Sequence, residues 1–341
     1  MHVQRNPTPW TRPDTRARTV RVLSGTGFLL MAPLCTGAHR AGTYPVRMRI
    51  ATVNVNGIRA AARKGMAAWL EAGAPDVLLL QEVRADADTA AALLPGYRSL
   101  VRPSRIRGRA GVGVAVREGG PLTLGRARCG VADGAEEPDA DSGRWLEVDL
   151  EPARGGGAEG GAEALAARDV GPGAGAGGLT VVSAYLHAGR VGTPKLDEKL
   201  AHLALVDARM ARLLAEARAG GRQVIMAGDL NVVRSERDIK NWRSNHNRVS
   251  GVLDVEIEHL EGWFSSGWVD VTRALAPRAQ GPYTWWSQRG RAFDNDAGWR
   301  IDYQVATPTA ASRALAVRVD RAGAYDERWS DHAPLVVDYA D

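Results

Sequence analysis

The chain has 341 residues, 45% of them hydrophobic and 24% charged, which supports a large α/β core in one domain or two and fits a soluble globular protein. Its two cysteines, Cys35 and Cys129, with no C-x-x-C pair, exclude a disulfide framework and a structural zinc site, so a reducing compartment is the default. The net charge of +5 is uneven: residues 1–47 hold seven of the 44 basic residues and one of the 39 acidic ones, leaving 37 against 38 in the rest. Global charge therefore says nothing about a nucleic-acid partner, and any such face must come from local clusters.

Residues 1–47 show no hydrophobic period. Their one apolar stretch, 20–34, is broken by Gly25, Gly27 and Pro33 and is too short to span a bilayer. Arginines before it and small residues after it imitate a secretory signal. The composition favours an unstructured extension, or an upstream start with Met48 as the working start, over export.

From Met48 the pattern changes. Residues 47–55 read as a strand entering a polar turn, 62–73 as a short helix, and 75–82 as a strand buried on both faces. Strands follow at 111–118, 143–150 and 179–186. Residues 151–178 are a Gly/Ala-rich insert with almost nothing to bury, hence a flexible surface loop. The clearest helix is 195–221, where Leu196, Leu200, Leu203, Val206, Met210 and Leu213 recur every three or four residues and Gly220-Gly221 ends it. His202 lies near that apolar face and reads as packing. Strands at 223–230, 283–287, 299–307, 314–320 and 333–339 complete the series, which implies sheets covered by helices.

The apolar strands share one oddity: they stop on carboxylates, carboxamides or histidine. Asn54 and Asn56, Glu82, Asp229 and Asn231, Asp302, and Asp331-His332 all sit at such ends. Asp and Asn are poor strand formers, and burying a carboxylate costs several kcal/mol unless it is paired or metal-bound. Recurrence of the same groups points to one shared site. Glu82 and Asp331 offer hard oxygen ligands suited to Mg²⁺ or Mn²⁺. Asp229 is suited to deprotonating a water, Asn54 and Asn231 to orienting it or donating to phosphate, and a protonated His332 to stabilising charge on phosphorus. Such a set fits metal-assisted phosphoester hydrolysis better than acyl transfer, because no Ser or Cys stands in a nucleophile elbow.

The segments NVNGIRAA (54–61), PDVLLLQE (75–82), AYLHAGR (184–190), GDLNV (228–232), DIKNW (238–242), FDNDAGWRIDY (293–303) and SDHAP (330–334), in that order, resemble the exonuclease III/AP endonuclease family of the endonuclease–exonuclease–phosphatase superfamily. The wording is most similar to bacterial exonuclease III, from about Met48 to the end. The resemblance implies a four-layer α/β sandwich of two mixed β-sheets packed face to face and flanked by helices, with residues 48–341 as the catalytic domain. It implies a Mg²⁺-dependent (or Mn²⁺-dependent) DNA phosphodiesterase of base-excision repair, cutting 5′ to abasic sites with 3′→5′ exonuclease or 3′-repair activity. The rivals are another phosphoesterase on this fold and a catalytically weak damaged-DNA binder.

By the same resemblance, Glu82 is the main metal ligand, with Asn56 and Asp331 near the metal, and Asp229, Asn231 and His332 also within the metal-binding set. Asp229 activates water, Asn54 and Asn231 position it and the phosphate, Tyr185 bonds the scissile phosphate, and His332 is oriented by Asp302. Trp285, Trp299 and Ile301 line a pocket for a flipped-out abasic sugar, which is cheap to extrude because little stacking is lost. Trp285 and Trp286 alternate across a strand, so at least one must face the core. Basic loops carrying Arg109, Lys240, Asn241 and Arg289 sit where contacts to duplex DNA are expected, without sequence readout. The expected partner is double-stranded DNA with abasic or 3′-damaged sites, with no membrane, for a monomeric, cytoplasmic and nucleoid-associated enzyme. The resemblance breaks at Arg190, where the family usually carries an acid.

Overall fold

A computed structural model describes residues 48–132, 136–153 and 178–340. The expected N-terminal extension (1–47) and most of the Gly/Ala-rich insert (154–177) lie outside the described residues. In chain order the strands are β1 Met48–Asn54, β2 Val77–Gln81, β3 Tyr97–Arg102, β4 Val112–Arg117, β5 Leu122–Cys129, β6 Trp145–Pro152, β7 Leu179–Tyr185, β8 Gln223–Asp229, β9 Val269–Asp270, β10 Trp285–Trp286, β11 Gly298–Trp299, β12 Asp302–Ala306, β13 Ala314–Val319 and β14 Leu335–Tyr339. The helices are α1 Ile58–Arg63, α2 Met66–Gly73, α3 Ala87–Ala92, α4 Pro194–Arg218, α5 Trp242–Asn245, α6 Asp254–Ser266, α7 Val271–Leu275 and α8 Pro308–Ala311.

Two six-stranded mixed sheets form, in the orders β13-β14-β1-β2-β4-β3 and β5-β6-β7-β8-β12-β9. Side-chain alternation explains how they stack. Val77 and Leu79 of β2 join Ile50, Val112 and Val114 against Leu146, Val148, Val181, Ile225 and Ala306 of the second sheet, all in one buried cluster. Their neighbours Leu78 and Leu80 point the other way, onto Ile58, Met66 and Leu70 of α1 and α2. On the far side, Val182, Met226 and Val305 pack on Leu203, Val206 and Met210 of α4 and Leu260 and Trp263 of α6. A β2 run that is apolar on both faces is thus what a sheet with one face on a sheet and one on helices requires. The expected four-layer sandwich is observed.

Some boundaries differ from the sequence pattern. The helix expected at 62–73 is two, broken at Lys64-Gly65, where Gly65 adopts φ 114°. The strand expected at 283–287 shrinks to a two-residue ribbon, Trp285 opposite Trp299. The strand expected at 299–307 is interrupted at Arg300 and Ile301. β3, β5, β9, α3, α5, α6, α7 and α8 are additional; β5 is a half-exposed edge strand with an irregular register between Leu124 and Ala127, so it lacks the alternation that marks a strand in sequence. His202 is buried as expected, edge-on to His187 with ring centroids 5.1 Å apart.

The interruption at Arg300 has a cause. Its guanidinium is fully buried and donates from Nε to Asp238 Oδ1 (2.7 Å) and from the two terminal nitrogens to Asp270 (3.2 and 2.9 Å). These bonds clamp the DIKNW segment to β9 and aim the adjoining Ile301. Removing one member of a buried charged set leaves the others uncompensated. Arg300→Met is expected to cost about 3–5 kcal/mol, read as a fall in the urea midpoint with unchanged slope; a loss below 1 kcal/mol would contradict the clamp.

Candidate active site

β1 and β2 run parallel, with Asn54 opposite Gln81, and β7 and β8 run parallel, with Tyr185 opposite Asp229. β12 runs antiparallel to β8 and starts at that edge, placing Asp302 opposite Asp229. β14 runs antiparallel to β1, so the turn before it delivers Asp331 and His332 to the same end. Topology alone therefore gathers the polar strand ends at one edge of the sandwich.

Hydrogen bonds join them. Asn54, fully buried, donates from Nδ2 to Glu82 Oε1 (2.9 Å) and Asp229 Oδ2 (3.0 Å), bridging the two sheets. Its Oδ1 accepts from the Asn56 N–H (3.0 Å), and Asn56 Nδ2 donates to Asp331 Oδ1 (2.9 Å). Tyr185 OH donates to Glu82 Oε1 (2.8 Å). Asn231 donates its backbone N–H to Asp229 Oδ1 (2.9 Å) and its Nδ2 to Asp229 Oδ2 (3.2 Å) and to the Leu186 carbonyl (2.9 Å). His332 Nδ1 lies 2.8 Å from Asp302 Oδ2, with Nε2 3.8 Å from Asp229 Oδ2. Glu82, Asn54, Asn56, Tyr185, Asp229, Asn231, Asp302, Asp331 and His332 are thus one connected set.

Three of these residues carry unusual backbone. Asn56, Glu82 and Asn231 have φ of 47°, 48° and 51°. The left-handed region is open to Asn and costly for Glu, and such outliers gather where a fold over-determines a functional group.

Burial sets the electrostatics. Burial pushes the Asp229 carboxyl up to about 7, against the opposing pull of His332, with Asp302 and Glu82 repelling in the same upward direction. Burial would lower His332, but the Asp302 and Asp229 charges outweigh it and raise the imidazole to about 10. Burial raises Asp331, yet His332 and the hydrogen bonds from Trp285 and Asn56 bring it below the usual carboxylate range. Burial, then Glu82 and Asp229, push the Tyr185 hydroxyl well above 10, so it remains a donor. A carboxylate near 7 beside an imidazolium is suited to taking a proton from water at neutral pH.

The donors fit a hard divalent cation. Among the described residues no three His, Cys, Asp or Glu side chains gather as a metal cage. Two carboxylates, Glu82 and Asp331, and the Asn56 amide lie on one chain of hydrogen bonds, all oxygen donors. Mg²⁺ typically takes one or two carboxylates and keeps several waters, so this open set suits it, and no all-protein cage is needed. Asn231 donates its Nδ2 to Asp229, and His332 sets its Nδ1 against Asp302.

An apolar cluster adjoins. Trp285, Trp299 and Trp242 pack on Ile301, Ile239, Val233 and Val252, and the Trp285 and Trp299 rings meet edge to face at 5.6 Å. Trp285 Nε1 donates to Asp331 Oδ2 (3.1 Å), which fixes the apolar cluster against the acidic one. Trp286 is the core member of the tryptophan pair. Arg109, Lys240, Asn241, Arg289 and Arg190 are exposed, and Lys240 shares a cavity with Arg234, Arg237 and Arg273.

Sequence reasoning missed several supports. Arg84 pairs with Glu82. Ser330 Oγ donates to the Asn54 carbonyl (2.7 Å) and accepts from the His332 N–H (3.2 Å). Buried Thr284 Oγ1 accepts from the N–H groups of Ile301 (3.2 Å) and Asp302 (3.1 Å). Ser330 stands within the SDHAP segment and was open to notice; Thr284 and Arg84 carry no pattern of their own.

The sequence profile of the Endonuclease/Exonuclease/phosphatase family matches residues 51–332. An exodeoxyribonuclease of Bacillus subtilis (strain 168) is 39% identical over 115 residues, a stretch that spans 33% of this chain and 43% of that protein. A DNA-(apurinic or apyrimidinic site) endonuclease of Dictyostelium discoideum is 25% identical over 295 residues, covering 85% of this chain and 70% of the relative. A 3′ phosphatase, NExo, from Neisseria, solved with a product DNA hairpin, superposes with a TM-score of 0.68 at 22% identity, over 86% of this chain and 99% of that one. The last likeness concerns the fold.

The charge arrangement is testable without substrate. Because His332 lies above its ordinary 6.5, its pairing adds stability in full below pH 6.5, and that contribution is lost as pH rises through about 10. In metal-free protein the His332 imidazole resonances should stay those of the cation through pH 8, and Asp302→Asn should lower the midpoint. A midpoint of 6 to 7 in the unaltered protein would contradict this account.

Proposed function

The chain belongs to the endonuclease/exonuclease/phosphatase family, and on that premise we propose that it is a Mg²⁺-dependent DNA phosphodiesterase of base-excision repair. In this reading it cuts 5′ to abasic sites and trims or repairs 3′ ends, as a monomeric, cytoplasmic enzyme associated with the nucleoid. No helix among the described residues is long and apolar enough to cross a membrane. Residues 48–341 act as the catalytic domain.

The observation that carries the reading is adjacency. Asp229, ringed by Asn54, Asn231 and His332, shares Asn54 with Glu82, and Asp331, bonded to Asn56, meets an apolar cluster through Trp285. In this reading the apolar surface of Trp285 and Trp299 receives a sugar lacking its base, and it would give a polar inositol ring few partners. That favours damaged DNA over sugar-phosphate substrates.

The residues divide the work. Asp229 takes the proton of the attacking water, while Asn231 and Asn54 hold its carboxylate in place. His332, kept cationic by Asp302, donates toward the phosphoryl oxygen that gains charge. Tyr185 offers its hydroxyl to the same phosphate. A cation held by Glu82, Asp331 and Asn56 would supply several kcal/mol of charge neutralisation. Exposed Lys240, Asn241, Arg109 and Arg289 meet the DNA backbone, so affinity falls as salt rises.

The test is a duplex with a single abasic site, with and without EDTA, run beside intact duplex, inositol phosphate and sphingomyelin. Metal-dependent nicking 5′ to the lesion is expected, with Asn231→Ala and His332→Ala lowering kcat by about 10²–10³. Glu82→Ala should lose both activity and response to added metal. Cleavage confined to sugar-phosphate or lipid substrates would overturn the assignment, and DNA binding without product would favour a binding protein.

A further inference from the structure

Asn231 carries the amide that steadies Asp229, and its own backbone is left-handed at φ 51°. What holds it there is a charged pair that no solvent reaches. Lys199 of α4 and Glu256 of α6 have fully buried side chains with Nζ and Oε1 2.7 Å apart. Lys199 Nζ donates to the Asn231 carbonyl (2.9 Å) and lies 3.4 Å from both the Ala188 carbonyl and Ser250 Oγ. Ser250 Oγ in turn reaches Glu256 Oε1 (2.6 Å) and the Ala188 carbonyl (2.7 Å). Glu256 Oε2 accepts from the Gly251 and Leu253 N–H groups, and Gly251 accepts from the Val233 N–H (2.8 Å). One ammonium therefore ties together the loop after β7, the loop after β8 and the entry to α6. The packing leaves no slack: a Cβ on Gly189 would overlap Ser250 Oγ and Lys199 Cδ, and one on Gly251 would overlap the Asn231 carbonyl.

Stability does not account for the pair. A buried ion pair roughly breaks even against well-packed apolar residues, because its desolvation cost offsets the attraction. An apolar replacement cannot donate to the Asn231 carbonyl. We infer that Lys199, with Glu256 as its counter-charge, is a positioning residue that fixes Asn231, and through it Asp229, for the reaction. This rests on the proposed nuclease reading.

The test uses the full chain and the double variant Lys199→Met/Glu256→Met, which removes both charges and leaves neither orphaned. Thermal melting checks that it folds. On the abasic duplex kcat should fall by about 10²-fold, the scale expected when a reacting group moves by an ångström, with KM within about two-fold of the unaltered chain. Amides 229–233 should exchange faster with solvent while those of β1 and β2 stay protected. Ser250→Ala, at a partly exposed site, should lower kcat about five-fold by loosening the same tie. If the double variant does not fold, Ser250→Ala and its exchange pattern decide alone. Folded variants with kcat within two-fold of the unaltered chain and unchanged exchange at 229–233 would overturn the inference. If the unaltered chain itself does not cut the duplex, the nuclease reading fails, and the exchange arm still judges the tie.

Discussion

The structure depends on holding several carboxylates together at one edge of a sandwich without letting them repel it apart. Glu82, Asp229, Asp302 and Asp331 come from four different strand ends, and Asp229 and Asp302 are almost wholly buried. Nothing in the hydrophobic core favours that arrangement. Amide donors and one imidazolium make it tolerable: Asn54 between Glu82 and Asp229, Asn56 on Asp331, Asn231 on Asp229, and His332 between Asp302 and Asp229. The compensation is incomplete at Asp229, whose carboxyl rises to about 7. That residual imbalance is what a general base at neutral pH requires, so the strain and the chemistry are one property.

The scaffold makes the convergence unavoidable. Parallel pairing of β1 with β2 and of β7 with β8 sends the four C-terminal ends to one side, where loops are free to carry polar groups. Antiparallel β12 and β14 begin at that side and add Asp302 and His332 from the opposite chain direction. Polar ties below the site keep the two sheets in register. Gln81 Nε2 donates to Ser183 Oγ (3.0 Å), and Gln304 Nε2 donates to the Ile50 carbonyl (3.0 Å) and accepts at Oε1 from Tyr339 OH (2.8 Å). Each crosses an interface otherwise filled by valine, leucine and isoleucine. Such satisfied polar contacts fix one relative placement of two apolar faces that could otherwise slide.

The sequence made the acidic, amide and histidine set legible because polar residues ending an apolar run break a local preference, and the break repeats. The central strands were equally plain: β2, β7 and β8 are mostly buried and rich in valine, leucine and isoleucine. β5 was hidden because an edge strand with half-exposed residues and a register shift has no clean period. The Trp285–Trp286 strand was overread, because its aromatic content comes from packing onto Ile301 and Phe293 and not from a long ladder. Thr284 and Lys199 escaped notice for a different reason. Each acts through a contact between segments distant in the chain, and a lone charged or hydroxyl residue in a helix or loop gives no sign of such a partner.

Placement of the left-handed residues links these levels. Asn56 and Asn231 take φ near +50° at little cost, whereas Glu82 pays roughly 1–2 kcal/mol for the same turn. The turn at Glu82 directs its carboxylate at Asn54 and Tyr185, and an extended backbone would carry the side chain along the pleat instead. The surrounding bonds must outweigh that cost, and they come from both sheets: Asn54 from β1, Tyr185 from β7, and the Arg84 pair from the following loop. A site assembled this way forms only when both sheets are already stacked. Its geometry is therefore a late product of the whole fold, set by long-range contacts, and no local segment carries it alone.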